Sequence, residues 1–168
     1  EIICPVCMHH CRLRPGQTGS CRARANRGGG SSSLSYGRIT SLALDPIEKK
    51  PLAMFEPRSR ILSVGSYGCN LSCPFCQNYE ISMCAADAET VCLSPEELAG
   101  KAAELKEKGN IGVAFTYNEP MIGYEYVRDT ARIVRAAGMK NVVVTNGSVT
   151  EEILEEVLPF VDAMKIDL

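Results

Sequence analysis

From about residue 61 the chain alternates short, unbroken apolar runs with segments that carry helix punctuation, and this rhythm restricts its fold more than any other feature. The runs are "RILSVG", "IGVAFT", "NVVVT" and "VDAMKIDL". Between the first two lies "SPEELAGKAAELKEKG", a helix with Ser94 as N-cap, Pro95 at its first position, Glu97 completing a capping box and Gly109 as its stop. A second helix is expected from about Met121 to Ala137, ended by Gly138. The third, "TEEILEEVL", is expected to be capped by Thr150 and to end near Pro159. The order β-α-β-α-β-α-β with continuously apolar strands predicts an α/β fold of parallel βαβ units, both sheet faces covered. A barrel and an open doubly wound sheet both fit, and in both the site lies at the carboxyl ends of the strands. Those ends hold a cysteine triplet, then "TYNEP", then "TNG", then Asp167.

Ahead of this core the chain divides into a cysteine-rich extension over residues 1–33 and an extended or β linker region over 34–60; the core runs over 61–168. The extension closes on "NRGGGSSS", expected as a flexible loop. Gly28, Gly29 and Gly30 do not read as a phosphate loop, because neither a strand before them nor a helix after them is apparent. The 34–60 stretch is rich in β-formers, then broken by Pro46, Pro51 and Pro57.

At 168 residues and a net charge of −2, the chain can bury one real core and gives a nucleic-acid partner no electrostatic support. No apolar run approaches the length of a membrane span, so no membrane partner is expected. Glu1 follows no charged-then-apolar leader, and the chain stops inside the apolar pattern "KIDL", which reads as a fragment of a longer protein. Nine cysteines need a reason. Their odd number and clustered spacing argue against a secreted disulfide scaffold and for metal sites in a reducing cytoplasm.

The stretch "GCNLSCPFC" places Cys69, Cys73 and Cys76 at C-x3-C-x2-C. Three thiolates can hold three irons of a [4Fe-4S] cube and leave the fourth open, as a catalytic site requires and a structural one avoids. Gly68 would let the backbone approach the inorganic core. The competing readings are a zinc knuckle with a borrowed ligand, or free cysteines packed in a core.

With Phe75 before Cys76, the motif resembles the signature C-x3-C-x-aromatic-C of the radical S-adenosylmethionine superfamily. The resemblance implies a partial parallel (βα) barrel, here truncated after about four strands. It implies a [4Fe-4S] cluster whose free iron is chelated by S-adenosyl-L-methionine, and reductive cleavage to a 5′-deoxyadenosyl radical that abstracts hydrogen from a substrate. Glu119 and Pro120 match the family's "GGEP"-like motif, which contacts the methionine amino group; the paired glycines are replaced by Tyr117 and Asn118. Thr145 and Asp167 resemble positions near the cofactor carboxylate in glycyl-radical-enzyme activases. Asn146 would either bond the cofactor or form a turn with Gly147, and Phe75 would pack near the adenine or in the core. No residue is assignable as catalytic.

Four further cysteines, Cys4, Cys7, Cys11 and Cys21, make a closed set suited to a structural metal, zinc or a second Fe-S cluster; their spacing does not decide between the two. His9 and His10 are substitute ligands, or simply exposed polar residues. The long run through "CRLRPGQTGSCRAR", "YGRITSLALDPIEKKPL" and "ILSVGSYGCNLSCPFCQNYEIS" resembles the branch similar to pyruvate formate-lyase activating enzyme, including the AmmeMemoRadiSam-system enzymes. That resemblance implies a flavodoxin- or ferredoxin-type reductant and, for an activase, a protein substrate. The alternative is a non-catalytic Fe-S- or zinc-binding, or electron-transfer, module. Cys84 and Cys92 have isolated contexts and read as buried small hydrophobes.

Overall fold

The structure, a computed structural model, describes residues 1–52 and 54–167; Ala53 of the 34–60 stretch and the Leu168 end of the last expected strand lie outside them. In chain order the elements are β1 (Ile2–Ile3), β2 (Arg12–Leu13), β3 (Arg24–Arg27), β4 (Gly30–Ser33), β5 (Arg38–Ile39), β6 (Ser41–Pro46), β7 (Arg60–Gly65), α1 (Tyr79–Ser82), β8 (Val91–Cys92), α2 (Pro95–Glu104), β9 (Asn110–Phe115), α3 (Tyr124–Ala136), β10 (Lys140–Thr145), α4 (Glu151–Val157) and β11 (Ala163–Ile166). The four expected strands are β7, β9, β10 and β11. They lie in the order β11-β10-β9-β7 and pair in parallel, with β6 antiparallel on the β7 edge. The chain is thus mixed α/β around a largely parallel sheet, and the 34–60 stretch supplies the sheet's fifth strand.

Successive strand residues point to opposite faces, and both faces are covered, which is why these runs are apolar without alternation. On one face Leu62, Val64, Val113, Phe115 and Val143 pack against Leu98 and Ala102 of α2, Val127, Ala131 and Val134 of α3, and Val157 of α4. On the other, Ile61, Ala114 and Val142 meet Ile47, with Leu52 and Phe55 beside them. α2 starts at the expected capping box: Ser94 Oγ accepts from the Glu97 N–H at 3.2 Å, and Glu97 Oε2 accepts from the Ser94 N–H at 2.7 Å. α4 begins after Thr150, but that hydroxyl does not cap it; it donates to the Pro5 carbonyl at 2.8 Å.

That bond is one of several by which the extension docks on the core. The expected flexible loop at "NRGGGSSS" is instead a hairpin: β3 pairs antiparallel with β4, Arg27 opposite Gly30, across a turn in which Gly28 and Gly29 have φ of 60° and 81°. β1 pairs with β2, and Cys7 bridges to Val149 beside α4. Arg24, 2% exposed, closes the interface. Its Nε donates to Ser31 Oγ, its Nη1 to the Ile122 carbonyl and Glu125 Oε2, and its Nη2 to the Ser31 carbonyl and Glu125 Oε1, all within 3.0 Å.

Arg24→Ala, which strands the Glu125 carboxylate and two carbonyls, is expected to lower stability by about 3 kcal/mol, read as a fall in the urea midpoint. Arg128→Ala, at a more exposed pair with Glu156, is expected to cost about 1 kcal/mol or less.

Candidate functional site

The loops leaving the carboxyl ends of β7, β9, β10 and β11 share one open cleft of about 410 Å³. Cys69, Cys73, Phe75 and Cys76 line it from the first loop, Asn118 and Glu119 from the second, Thr145 and Asn146 from the third, and Asp167 from beyond β11. All nine residues singled out in the sequence for the cofactor are therefore neighbours in the fold. Phe75 is 86% exposed, so it stands at the rim and not in the core.

The three cleft thiols are free and half-buried. Burial pushes the Cys69 thiol up, against the Leu71 N–H that reaches its Sγ at 3.4 Å. Among the described residues no three His, Cys, Asp or Glu side chains converge tightly enough to enclose a metal ion. The thiols instead line the open cleft together from one loop. Soft sulfur ligands from one loop on an open cleft suit an iron–sulfur group that keeps one side accessible and suit a hard cation poorly.

Glu119 organises the two neighbouring loops. It is 4% exposed. Oε1 accepts from Thr145 Oγ1 at 2.7 Å and from the Met121 N–H at 3.0 Å, and Oε2 accepts from the Asn146 N–H at 2.8 Å. Three of a carboxylate's four acceptor positions are thus filled from the chain itself, leaving one. Burial raises the Glu119 pKa, and these three donors oppose it.

Asn118 braces the approach to the cysteines. Its Oδ1 accepts from the Ser66 N–H at 3.0 Å, and its Nδ2 donates to the carbonyls of Tyr67 at 3.2 Å and Gly68 at 3.0 Å. Tyr117, standing where the family motif has glycine, keeps a left-handed backbone at φ 75°. Its ring lies over Gly65, where an added Cβ would come within 2.8 Å of Tyr117 Cδ2. Its hydroxyl donates to Asp45 at 2.8 Å, and burial together with that carboxylate pushes the phenol up to about 12. Beyond Tyr117 the cleft continues into a chamber of about 500 Å³ lined by Lys49, Lys50 and Lys165.

Asn146 spends its side chain on the chain itself: Nδ2 donates to Asn70 Oδ1 at 2.9 Å, and Oδ1 accepts from the Ser148 hydroxyl at 2.6 Å. Gly147, at φ 71°, supplies the left-handed turn residue. Asp167 is exposed and pairs with Lys165.

Gly68, at φ 82°, has a structural reason beside the one expected. A Cβ there would meet the Cys21 carbonyl oxygen at 2.5 Å, so glycine makes room for the extension. Cys92 is exposed and Cys84 partly exposed, so neither is the buried hydrophobe expected. In the extension Cys4, Cys7 and Cys21 are buried and Cys11 half-buried, all free. The Cys4 N–H donates to the Cys11 carbonyl at 2.9 Å. Burial raises the Cys21 thiol pKa, the backbone N–H groups of Ala23 and Arg24 oppose it, and the nearby Cys7 and Cys4 add to it. Sequence reasoning passed over Asn70, a polar side chain 6% exposed between Cys69 and Cys73. Its Nδ2 donates to Ser148 Oγ at 2.7 Å, tying the cysteine loop to the loop after β10.

A buried acid with a raised pKa binds more protons folded than unfolded. Between its ordinary value and the raised one, stability therefore falls as pH rises. Glu119→Gln is expected to flatten that decline in unfolding midpoints measured upward from about pH 4.5.

Residues 63–168 match the family described as the Radical SAM superfamily. Over 169 aligned residues the chain is 40% identical to an uncharacterized protein of Methanocaldococcus jannaschii, an alignment that takes in 100% of this chain and 49% of that protein. The chain thus spans about half the length of the curated relative it matches.

Proposed function

The chain belongs to the Radical SAM superfamily, and from that membership we propose that it carries the amino-terminal part of a radical S-adenosyl-L-methionine enzyme, with its strands forming a partial (βα) barrel. The observation that carries this reading is the single cleft shared by Cys69, Cys73, Cys76, Glu119, Thr145 and Asp167. When bound there, a [4Fe-4S] cluster and S-adenosyl-L-methionine supply a one-electron reductive cleavage to methionine and a 5′-deoxyadenosyl radical.

The chain's own residues bind and orient. Cys69, Cys73 and Cys76 ligate three irons. The remaining acceptor position of Glu119 and the carbonyls of the "TYNEP" turn receive the cofactor ammonium. Phe75, exposed at the rim, packs near the adenine of the cofactor. Lys49, Lys50 and Lys165 face the substrate space, where Asp45 is shared between Lys49 and Lys50. The amino-terminal cysteines favour the AmmeMemoRadiSam-system branch over typical glycyl-radical activases, and hold zinc or a second Fe-S cluster. The electron comes from a flavodoxin- or ferredoxin-type protein, and the setting is the cytoplasm; no helix among the described residues is long and apolar enough to cross a membrane.

Anaerobic reconstitution and reduction with S-adenosyl-L-methionine are expected to yield 5′-deoxyadenosine and methionine, and Cys73→Ala to abolish cluster absorbance and both products. A cluster that forms without any cleavage product supports an electron-transfer module instead. Cys7→Ala is expected to remove one metal by elemental analysis while the iron held at Cys69, Cys73 and Cys76 stays.

A further inference from the structure

The extension does more than cover the core: two of its side chains end on consecutive carbonyls of the cysteine loop. Arg22 Nη2 donates to the Cys69 carbonyl at 3.2 Å and to the Ser82 carbonyl at 3.1 Å, joining the start of the loop to its end. His9 Nε2 lies 2.7 Å from the Asn70 carbonyl oxygen. A carbonyl only accepts, so Nε2 is the donor of this bond. On the opposite side, Asn70 is held through its side chain by Ser148 and Asn146. Gly68, two residues before Asn70, leaves no room for a Cβ beside the Cys21 carbonyl.

The arrangement is held against local cost. Arg22 adopts a left-handed φ of 64°, and its Nε is buried without a partner. A non-glycine residue persists in that conformation only where its surroundings over-determine it. In that conformation, in a turn closed by the Arg22 N–H on the Gly19 carbonyl, Nη2 reaches both carbonyls and lies 3.4 Å from Met83 Sδ. Neither Arg22 nor His9 lines the cleft, so each acts through the loop it holds.

We propose that Arg22 and His9 are positioning residues for the iron–sulfur loop, and that the amino-terminal extension is a clamp fixing the backbone at Cys69 and Asn70. Through that backbone it sets where the first of the three thiolates points. The ligand role of Cys69 rests on the function proposed above; the clamp is a contact between two parts of the chain and can be read without any cluster.

The test compares Arg22→Gly, His9→Ala and His9→Gln with the unaltered protein. Glycine relieves the backbone at position 22, so a loss there belongs to the guanidinium. Glutamine restores a donor at position 9. In protein free of iron, amide hydrogen exchange over residues 68–83 is expected to rise about tenfold in Arg22→Gly and His9→Ala. It should return toward the original rate in His9→Gln, with the amides of β9 and β10 unchanged in all three. After reconstitution, the two loosened variants are expected to show a broadened electron paramagnetic resonance signal and a KM for S-adenosyl-L-methionine raised several-fold more than kcat falls. Unchanged exchange over 68–83 in Arg22→Gly and His9→Ala would overturn the clamp, as would a rise of equal size in β9 and β10. Loosened exchange in a protein that takes up no cluster leaves the clamp standing and removes the proposed function.

Discussion

Among the contacts that dock the extension on the core, the most constraining is one buried guanidinium. Arg24 offers five N–H donors, and each meets an acceptor from β4, from the turn ahead of α3, or from α3 itself. A buried cation is tolerable only where its donors are all matched, so the interface has one geometry and not a range. Ser31, which takes two of those bonds, also lies 3.2 Å from the Cys4 thiol. Seating Arg24 therefore places the cysteine-bearing turns as well, and brings Cys21 and Arg22 against Gly68.

At the carboxyl end of the sheet a buried carboxyl group does the corresponding work. Glu119 links the end of β10 to the turn that opens after β9, and Asn118 beside it holds the backbone that runs into Cys69. The cleft is thus built mainly by polar side chains bonding to main chain. Such bonds strengthen where water is excluded and are costly to leave half-made, which gives the loops a defined shape without regular structure.

What was legible in the sequence follows from how local each signal is. The apolar runs of β7, β9, β10 and β11 and the Ser94–Glu97 box are decided by residues a few positions apart, and each came out where the pattern put it. Cys69, Cys73 and Cys76 were legible as a group because they lie within eight residues of chain. The hairpin at Gly28 and Gly29 was not, because serine-rich strands have no apolar alternation and are held by the docking of Arg24 roughly a hundred residues away. Thr150 looked like a cap because helix starts favour such residues, but Pro5 competes for its hydroxyl from the other end of the chain. Gly68 carried the right residue for a reason the sequence does not contain, since the carbonyl it accommodates belongs to Cys21.

The spread of these contacts along the chain also sets an order of assembly. The extension is made well before its partners in the core: Ile122 and Glu125 for Arg24, Ser148 for the Met8 N–H, and Thr150 for Pro5 and Val6. Contacts of such sequence separation form late. Until those partners are made, Cys4, Cys7, Cys11 and Cys21 are therefore open thiols on an undocked segment. These cysteines are made early and buried only once Ser148 and Thr150 have arrived, so their thiols are most accessible in the interval before docking.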